Sequence, residues 1–162
     1  KGAIADYSKA IAIDPQYFIA YTNRGYPKEQ LGDYQGAIAD YNKAIAINPQ
    51  YDTAYTKRGN AKSDLKDYQG AIADFNKAIA INPQYANAYL ERGNAKVKSG
   101  DFQGAIADFN KAIAINPQYA NAYSNRGITK GMSGDIQGAC ADIRRASSLG
   151  AKIPPEIQRM CF

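Results

Sequence analysis

The residues able to do chemistry in this chain are few, and most of them recur at one interval. Histidine is absent from the 162 residues, which removes the commonest general base and the commonest metal ligand at once. The two cysteines, Cys140 and Cys161, show no CxxC spacing and have no histidine to work with. They therefore offer neither a zinc site nor a Cys–His nucleophile. Cys140 stands where sister segments carry Ile38, Ile72 and Ile106 and reads as a small buried apolar residue. A disulfide to Cys161, near the end of the chain, is the minor alternative. The carboxylates mostly repeat with the sequence, so no pair stands out as a general acid and base, and no glycine-rich phosphate cradle is present. These observations point away from an enzyme and imply no cofactor and no metal.

Charge follows the same interval. Arg24, Arg58, Arg92 and Arg126 each precede an aspartate by 16 residues, at Asp40, Asp74, Asp108 and Asp142. A pair repeated so regularly reads as an ion-pair ladder between packed helices in preference to a ligand site. Lys28, Lys62, Lys96 and Lys130, with Lys9, Lys43, Lys77 and Lys111, read as a solvated scaffold. The net charge of +5 invites a nucleic-acid reading, but the basic residues are spread over every segment and are not interleaved with free aromatics, so nucleic acid is disfavoured. No apolar run approaches the roughly 18 residues that span a bilayer. Two cysteines without a disulfide framework suit a reducing compartment, which favours the cytoplasm.

What must position these groups is a repeat. Pro-Gln-Tyr begins at Pro15, Pro49, Pro83 and Pro117, and Arg-Gly ends at Gly25, Gly59, Gly93 and Gly127, both with a 34-residue spacing. A Gln-Gly-Ala block recurs from Gln35, Gln69, Gln103 and Gln137. Each unit reads as two helices. The first runs roughly from Tyr85 to Ser99 in the third unit, and Gly100-Asp101 supplies a left-handed turn and a cap. The second carries Ala105, Ile106, Phe109, Ala112 and Ile113, an i, i+3, i+4, i+7 stripe, and stops at Asn116-Pro117 because proline disfavours helix before itself. Two departures stand out. Pro27 falls inside a first helix, where an irregularity near Asn23–Pro27 is expected at a cost of roughly 3 kcal/mol. Lys66 replaces the turn glycine and is expected to cost about 1 kcal/mol if it keeps positive φ.

Tyr89, Gly93, Ala105, Phe109, Ala112 and Pro117, with their counterparts along nearly the whole chain, resemble the tetratricopeptide repeat (TPR) signature, and the near-identity of the units is similar to bacterial arrays of this family. The resemblance implies an all-α, right-handed superhelical solenoid of antiparallel helix–turn–helix repeats. In that frame residues 1–17 hold the second helix of a truncated repeat, full repeats occupy 18–51, 52–85, 86–119 and 120–153, and 154–162 form a short C-terminal capping helix. Opening on a lone second helix is expected to leave apolar surface bare, as in a fragment of a longer protein or a copy packed on another.

The resemblance also implies a function: a protein-interaction scaffold that takes a peptide or helix of a partner in a concave groove lined by the first helices. Carried onto this chain, the groove positions are Ile19, Thr22, Tyr26, Glu29 and Gln30; Thr53, Thr56, Asn60, Ser63 and Asp64; Asn87, Leu90, Asn94, Val97 and Lys98; and Asn121, Ser124, Ile128, Gly131 and Met132. Asn60 and Asn94 match the family's backbone-reading asparagine, since an amide both donates and accepts. Thr56 and Leu90 stand where the family's carboxylate clamp needs lysine, which disfavours acidic chaperone tails. Leu90, Val97, Ile128 and Met132 are expected to form a modest apolar patch, with Asn87, Asn94, Asn121 and Ser124 as polar contacts. Two alternatives remain open: an assembly module self-associating into homo-oligomers through exposed end helices, and a non-specific anion or RNA binder.

Overall fold

The computed structural model describes residues 2–161; Lys1 and Phe162, the outer ends of the expected first and last segments, lie outside the described residues. The described residues form α1 (Gly2–Ile13), α2 (Phe18–Gln30), α3 (Tyr34–Ile47), α4 (Asp52–Asp64), α5 (Tyr68–Ile81), α6 (Ala86–Lys98), α7 (Phe102–Ile115), α8 (Ala120–Met132), α9 (Ile136–Ser148) and α10 (Pro155–Cys161), with no strand among them. They fall into two compact units, Lys1–Pro83 and Gln84–Phe162. The first contains α1 and the hairpins α2–α3 and α4–α5. The second contains the hairpins α6–α7 and α8–α9 followed by α10. The expected all-helical hairpin repeat is what the chain forms.

Each hairpin turn is built by local chemistry. Asp33, Asp67, Asp101 and Asp135 cap the second helices, their carboxylates accepting from the N–H of Gly36, Gly70, Gly104 and Gly138 at 2.8–2.9 Å. The residue before each cap takes the left-handed conformation, with φ of 78°, 88° and 91° at Gly32, Gly100 and Gly134, and 64° at Lys66. Lys66 therefore keeps the geometry of the glycine it replaces and bears its steric cost. The second helices α3, α5 and α7 each end two residues before a proline, whereas α9 ends at Ser148 ahead of a left-handed Gly150. Beyond α3 and α7, the Asn48 and Asn116 side chains accept from the N–H of Gln50 and Gln118, turning the chain into the next element.

Pro27 does not break its helix: α2 is continuous from Phe18 to Gln30. Proline removes only the N–H that would reach the Asn23 carbonyl, and Asn23 is exposed. The last turn recovers through Leu31 N–H, which reaches the carbonyls of Pro27 and Lys28 at 3.2 and 3.0 Å. The expected irregularity is thus no interruption of the helix.

Packing within a hairpin rests on a missing side chain. A Cβ placed on Gly25, Gly59 or Gly93 would come within 2.7 Å of a ring atom of Tyr41, Phe75 or Phe109. The second-helix ring therefore lies flat against first-helix backbone, and Ala37, Ala44, Ala71, Ala78, Ala105 and Ala112 beside it are fully buried. In the fourth hairpin Ile143 takes the place of the ring beside Gly127.

Beside this contact the charges close the hairpin. Arg24, Arg58, Arg92 and Arg126 grip Asp40, Asp74, Asp108 and Asp142 with two hydrogen bonds each, Nε to Oδ2 at 2.8–2.9 Å and Nη2 to Oδ1 at 2.5–2.6 Å. The ladder expected between packed helices is present. The lysines correct the sequence reading: Lys28, Lys62, Lys96 and Lys130 are no solvated scaffold, since each places Nζ 2.8 Å from Oδ2 of the same aspartate. Spaced four residues from the arginine, they share its helix face. Burial alone would raise the Asp142 carboxyl, but hydrogen bonds from Arg126 and Lys130 outweigh it and hold the carboxyl below its usual range. The arginines also lie 5.4–5.6 Å from the ring centroids of Tyr21, Tyr55, Tyr89 and Tyr123, three residues earlier.

One hairpin core carries an extra polar pair. Among the four hairpins, Tyr41 alone brings a hydroxyl to the position occupied by Phe75, Phe109 and Ile143, and Glu29 stands opposite, where the sisters have Ser63, Val97 and Gly131. Glu29 Oε1 and the Tyr41 hydroxyl are buried side by side without reaching good hydrogen-bond geometry. Burial is the largest cause raising the Glu29 carboxyl, against the opposing influence of Tyr41 and Lys57. Burial likewise raises the Tyr41 phenol, with Glu29 adding to it.

Two stability measurements follow from these positions. Lys66→Gly is expected to stabilise the chain by about 1 kcal/mol, read as a higher melting temperature; no change would show that the backbone there is unstrained. Because folding raises the Glu29 pKa, that carboxyl favours the folded state below its unfolded pKa and opposes it as pH rises through the folded value. Glu29→Gln is therefore expected to raise the melting temperature at neutral pH, with the gain shrinking toward pH 4. A gain independent of pH in calorimetry would contradict the assignment.

Candidate protein-interaction surfaces

The expected groove positions separate into three groups, and helix register explains the separation. Leu90, Gly93 and Val97 stand at i, i+3 and i+7, so they share the face that meets α7. Leu90 is accordingly 4% exposed and packs with Ala105, Phe109, Ala112 and Ala122, while Val97 is half-buried against the same cluster. Thr22 and Thr56 are buried for the same reason. The expected exposed patch thus loses Leu90 wholly and Val97 in large part: both are core.

The asparagines form the second group. In the C-terminal unit the Asn94 amide donates to Glu91 Oε2 at 3.1 Å and its oxygen accepts from Asn125 Nδ2 at 2.8 Å. Asn87 Oδ1 accepts from the Tyr119 hydroxyl at 2.9 Å, a phenol whose pKa burial raises, with the Glu91 charge adding to it. These bonds tie α6 to α8 and its lead-in, so the amides are engaged within the unit. Asn121 is exposed and Ser124 half-buried. Asn60, in the N-terminal unit, is half-buried on α4.

The third group faces outward and is apolar. Ile128, Met132 and Ile136 are 39%, 56% and 48% exposed. With Gly127, Gly131, Ala139, Ile143 and Ile157 they line a hollow of about 300 Å³ between α8, α9 and α10. Its room comes from Gly131, which stands where Val97 fills the preceding hairpin; a Cβ there would touch only Ala139, at 3.7 Å. Ile136, Ala139 and Ile157 escaped the sequence reading. The signal was available at two positions, since Ile136 replaces the ring of Tyr34, Tyr68 and Phe102, and Gly131 the side chain of Val97.

The N-terminal unit has a different hollow, of about 240 Å³, lined by Tyr7, Thr22, Asn23, Tyr26, Tyr51, Thr53 and Lys57. The Lys57 ammonium stands 4.6 Å from the Tyr26 ring centroid. Thr22, Tyr26 and Thr53 were expected at such a surface. Asn23 and Lys57 were not, because nothing in their spacing distinguishes them.

Cys140 and Cys161 are joined by a disulfide with their Cα atoms 4.9 Å apart, so the minor alternative is the one the structure adopts. Cys140 is also buried, as expected of an apolar residue. No cluster of His, Cys, Asp or Glu able to hold a metal occurs among the described residues. No helix among them is long and apolar enough to cross a membrane.

A model of the TPR repeat family matches residues 1–26, 30–66, 59–100 and 93–134. No curated protein matches the sequence. Among solved structures, the chain is similar to a crystal structure of MamA, at 27% identity and a TM-score of 0.81 over 90% of this chain and 85% of that one. It is also similar to the first TPR of Spaghetti (RPAP3) bound to the HSP90 peptide SRMEEVD, at 26% identity and a TM-score of 0.71 over 75% of this chain and 96% of that one. A crystal structure of PilW, described as a widely conserved type IV pilus biogenesis factor, shares the fold at 23% identity and a TM-score of 0.86 over 96% of this chain and 72% of that one. This fold supports a protein-interaction scaffold, and proteins of the family are generally non-enzymatic. With its helical hairpins and a family match across most of its length, the chain belongs to the tetratricopeptide repeat family.

Proposed function

We propose that this chain binds a polypeptide segment of a partner protein on its first-helix surfaces, and that in the C-terminal unit the contact is apolar and centred on Ile128 and Met132. The observation that carries this reading is the hollow of about 300 Å³, whose lining is glycine, alanine, isoleucine and methionine throughout. Contiguous exposed apolar surface of this kind marks partner sites, and methionine adapts to partners of varied shape. Asn121 and Ser124, on the same helix, supply polar contacts at its border. Elsewhere on the first helices, Asn60, Asn87 and Asn94 hold the amides that would meet a partner's backbone. Asn87 and Asn94 would have to exchange their present bonds to do so.

The neighbour carrying an HSP90 peptide gives the family precedent for a short segment on such a surface. The two positions where the family's clamp calls for lysine are here Thr56 and Leu90, both buried. Lys28, Lys62, Lys96 and Lys130 are committed to the aspartates. This supports a partner chosen by apolar fit over an acidic tail or a nucleic-acid backbone.

Selection of a random peptide library displayed on phage against the chain tests the reading. Enriched peptides are expected to carry bulky apolar residues and to bind an Ile128→Lys, Met132→Lys variant at least tenfold more weakly, with unchanged helical circular dichroism. Absence of enrichment, or equal binding to the variant, would remove the surface from consideration.

A further inference from the structure

The two units treat equivalent positions differently where one first helix meets the next. In the C-terminal unit the chain supplies both partners of each bond. Asn125 Nδ2 donates to Asn94 Oδ1 at 2.8 Å, and the Tyr119 hydroxyl donates to Asn87 Oδ1 at 2.9 Å. Two repeats earlier, Lys57 and Tyr26 occupy the places of Asn125 and Asn94, and Tyr51 and Ile19 those of Tyr119 and Asn87. The donors remain, but a ring and an alkyl chain stand where the acceptors were. The Lys57 ammonium lies 4.6 Å from the Tyr26 ring centroid, and a π face attracts a cation but supplies no lone pair. Ile19 gives the Tyr51 hydroxyl nothing to donate to.

Both donors line the hollow of the N-terminal unit, with the exposed Asn23 amide beside them. Lys57 is half-buried and forms no ion pair among the described residues. Glu29, whose carboxyl feels the Lys57 charge, stands against Tyr41 in the hairpin core. Thr53 already donates to Asp52 at 3.1 Å, and Asp52 accepts also from Asn82. No aspartate or glutamate lines the hollow among the described residues. A half-buried ammonium with further donors and no acceptor is complementary to an anion. One cation balances one negative charge, and Glu29 nearby disfavours a second, which selects a carboxylate over a phosphate.

Resting on the first-helix docking reading above, we propose that α2 and α4 hold one carboxylate of the partner segment. Lys57 Nζ and the Tyr51 hydroxyl donate to it, and the Tyr26 ring borders it. The bound carboxylate takes the part that the Asn94 and Asn87 oxygens play in the C-terminal unit. The family's clamp position is Thr56, buried and one residue earlier, so Lys57 reads the anion from another side of α4. A run of acids finds no further reader on these helices, because Lys28 and Lys62 are committed to Asp40 and Asp74. The site therefore selects a single acid within an otherwise neutral segment.

The test titrates the full chain with N-acetylglutamate N-methylamide, a side-chain carboxylate, and with N-acetylglycine, a chain-terminal one. N-acetylglutamine N-methylamide is the neutral control, and nuclear magnetic resonance of the Tyr26 and Tyr51 ring protons is the readout. A carboxylate is expected to shift both rings saturably, the tighter of the two naming its source, and the neutral amide to shift neither. Lys57→Met is expected to weaken binding about tenfold, the scale of a hydrogen bond to a charged group. Ile19→Asn, which returns to Tyr51 the acceptor that Tyr119 has, is expected to weaken it severalfold with helical circular dichroism unchanged. No carboxylate binding, equal binding to Lys57→Met, or tighter binding of inorganic phosphate would overturn the proposal. Phage-selected peptides separate this site from the docking reading. Enriched peptides that bind the chain and Lys57→Met equally would overturn the carboxylate site alone. Carboxylate binding with no enriched peptide would overturn the docking reading instead.

Discussion

A carboxylate removed from water must find positive charge or become neutral, and every hairpin of this chain is arranged around one that does the former. Asp40, Asp74, Asp108 and Asp142 have side chains only 4–7% exposed. Each accepts two bonds from an arginine and faces a lysine one turn further along the same first helix. The arginine fork fixes the orientation of the carboxylate, and the lysine neutralises its second oxygen. This contact sits beside the glycine that admits the second-helix ring, so helix approach and helix register are set together. Much of what surrounds it is a consequence: the arginine lies beside a tyrosine ring, and the lysines leave the surface.

That last consequence bears on function. A chain with net charge +5 looks prepared for anionic ligands, yet in each hairpin two of its cations are spent on a buried anion. The charge that remains is dispersed, and the exposed features with shape are hollows. The N-terminal unit offers tyrosine, threonine and lysine, and the C-terminal unit isoleucine and methionine. Repeats of nearly one sequence thus present two chemistries through a few substitutions, Gly131 and Ile136 among them. Such positions vary from hairpin to hairpin while the buried triad stays constant.

Most of the fold was legible because its determinants are local and repeated. The 34-residue spacing, the aspartate caps, the turn glycines with Lys66 in their place, and the Arg–Asp interval all speak through sequence distance. The site was less legible because it depends on which way a helix face points. Leu90 looked like groove until its i, i+3 relation to Gly93 is followed, which turns it into the core. Lys96 looked solvated because its partner lies on another helix, although its four-residue step from Arg92 places both on one face. Pro27 promised an irregular stretch near Asn23–Pro27, but α2 is continuous and the missing bond falls where the Asn23 carbonyl can meet solvent. The Cys140–Cys161 bond had no signal in spacing at all: 21 residues of separation say nothing of the 4.9 Å between Cα atoms.

The measurement closest to the centre of this account is urea unfolding of Asp108→Asn against the parent chain. Loss of the carboxylate leaves Arg92 and Lys96 facing a neutral amide, and the account predicts a loss of roughly 3 kcal/mol in unfolding free energy, with helicity retained in the absence of urea. A loss below about 0.5 kcal/mol, the scale of an ordinary surface substitution, would show that the triad decorates the hairpin and does not hold it.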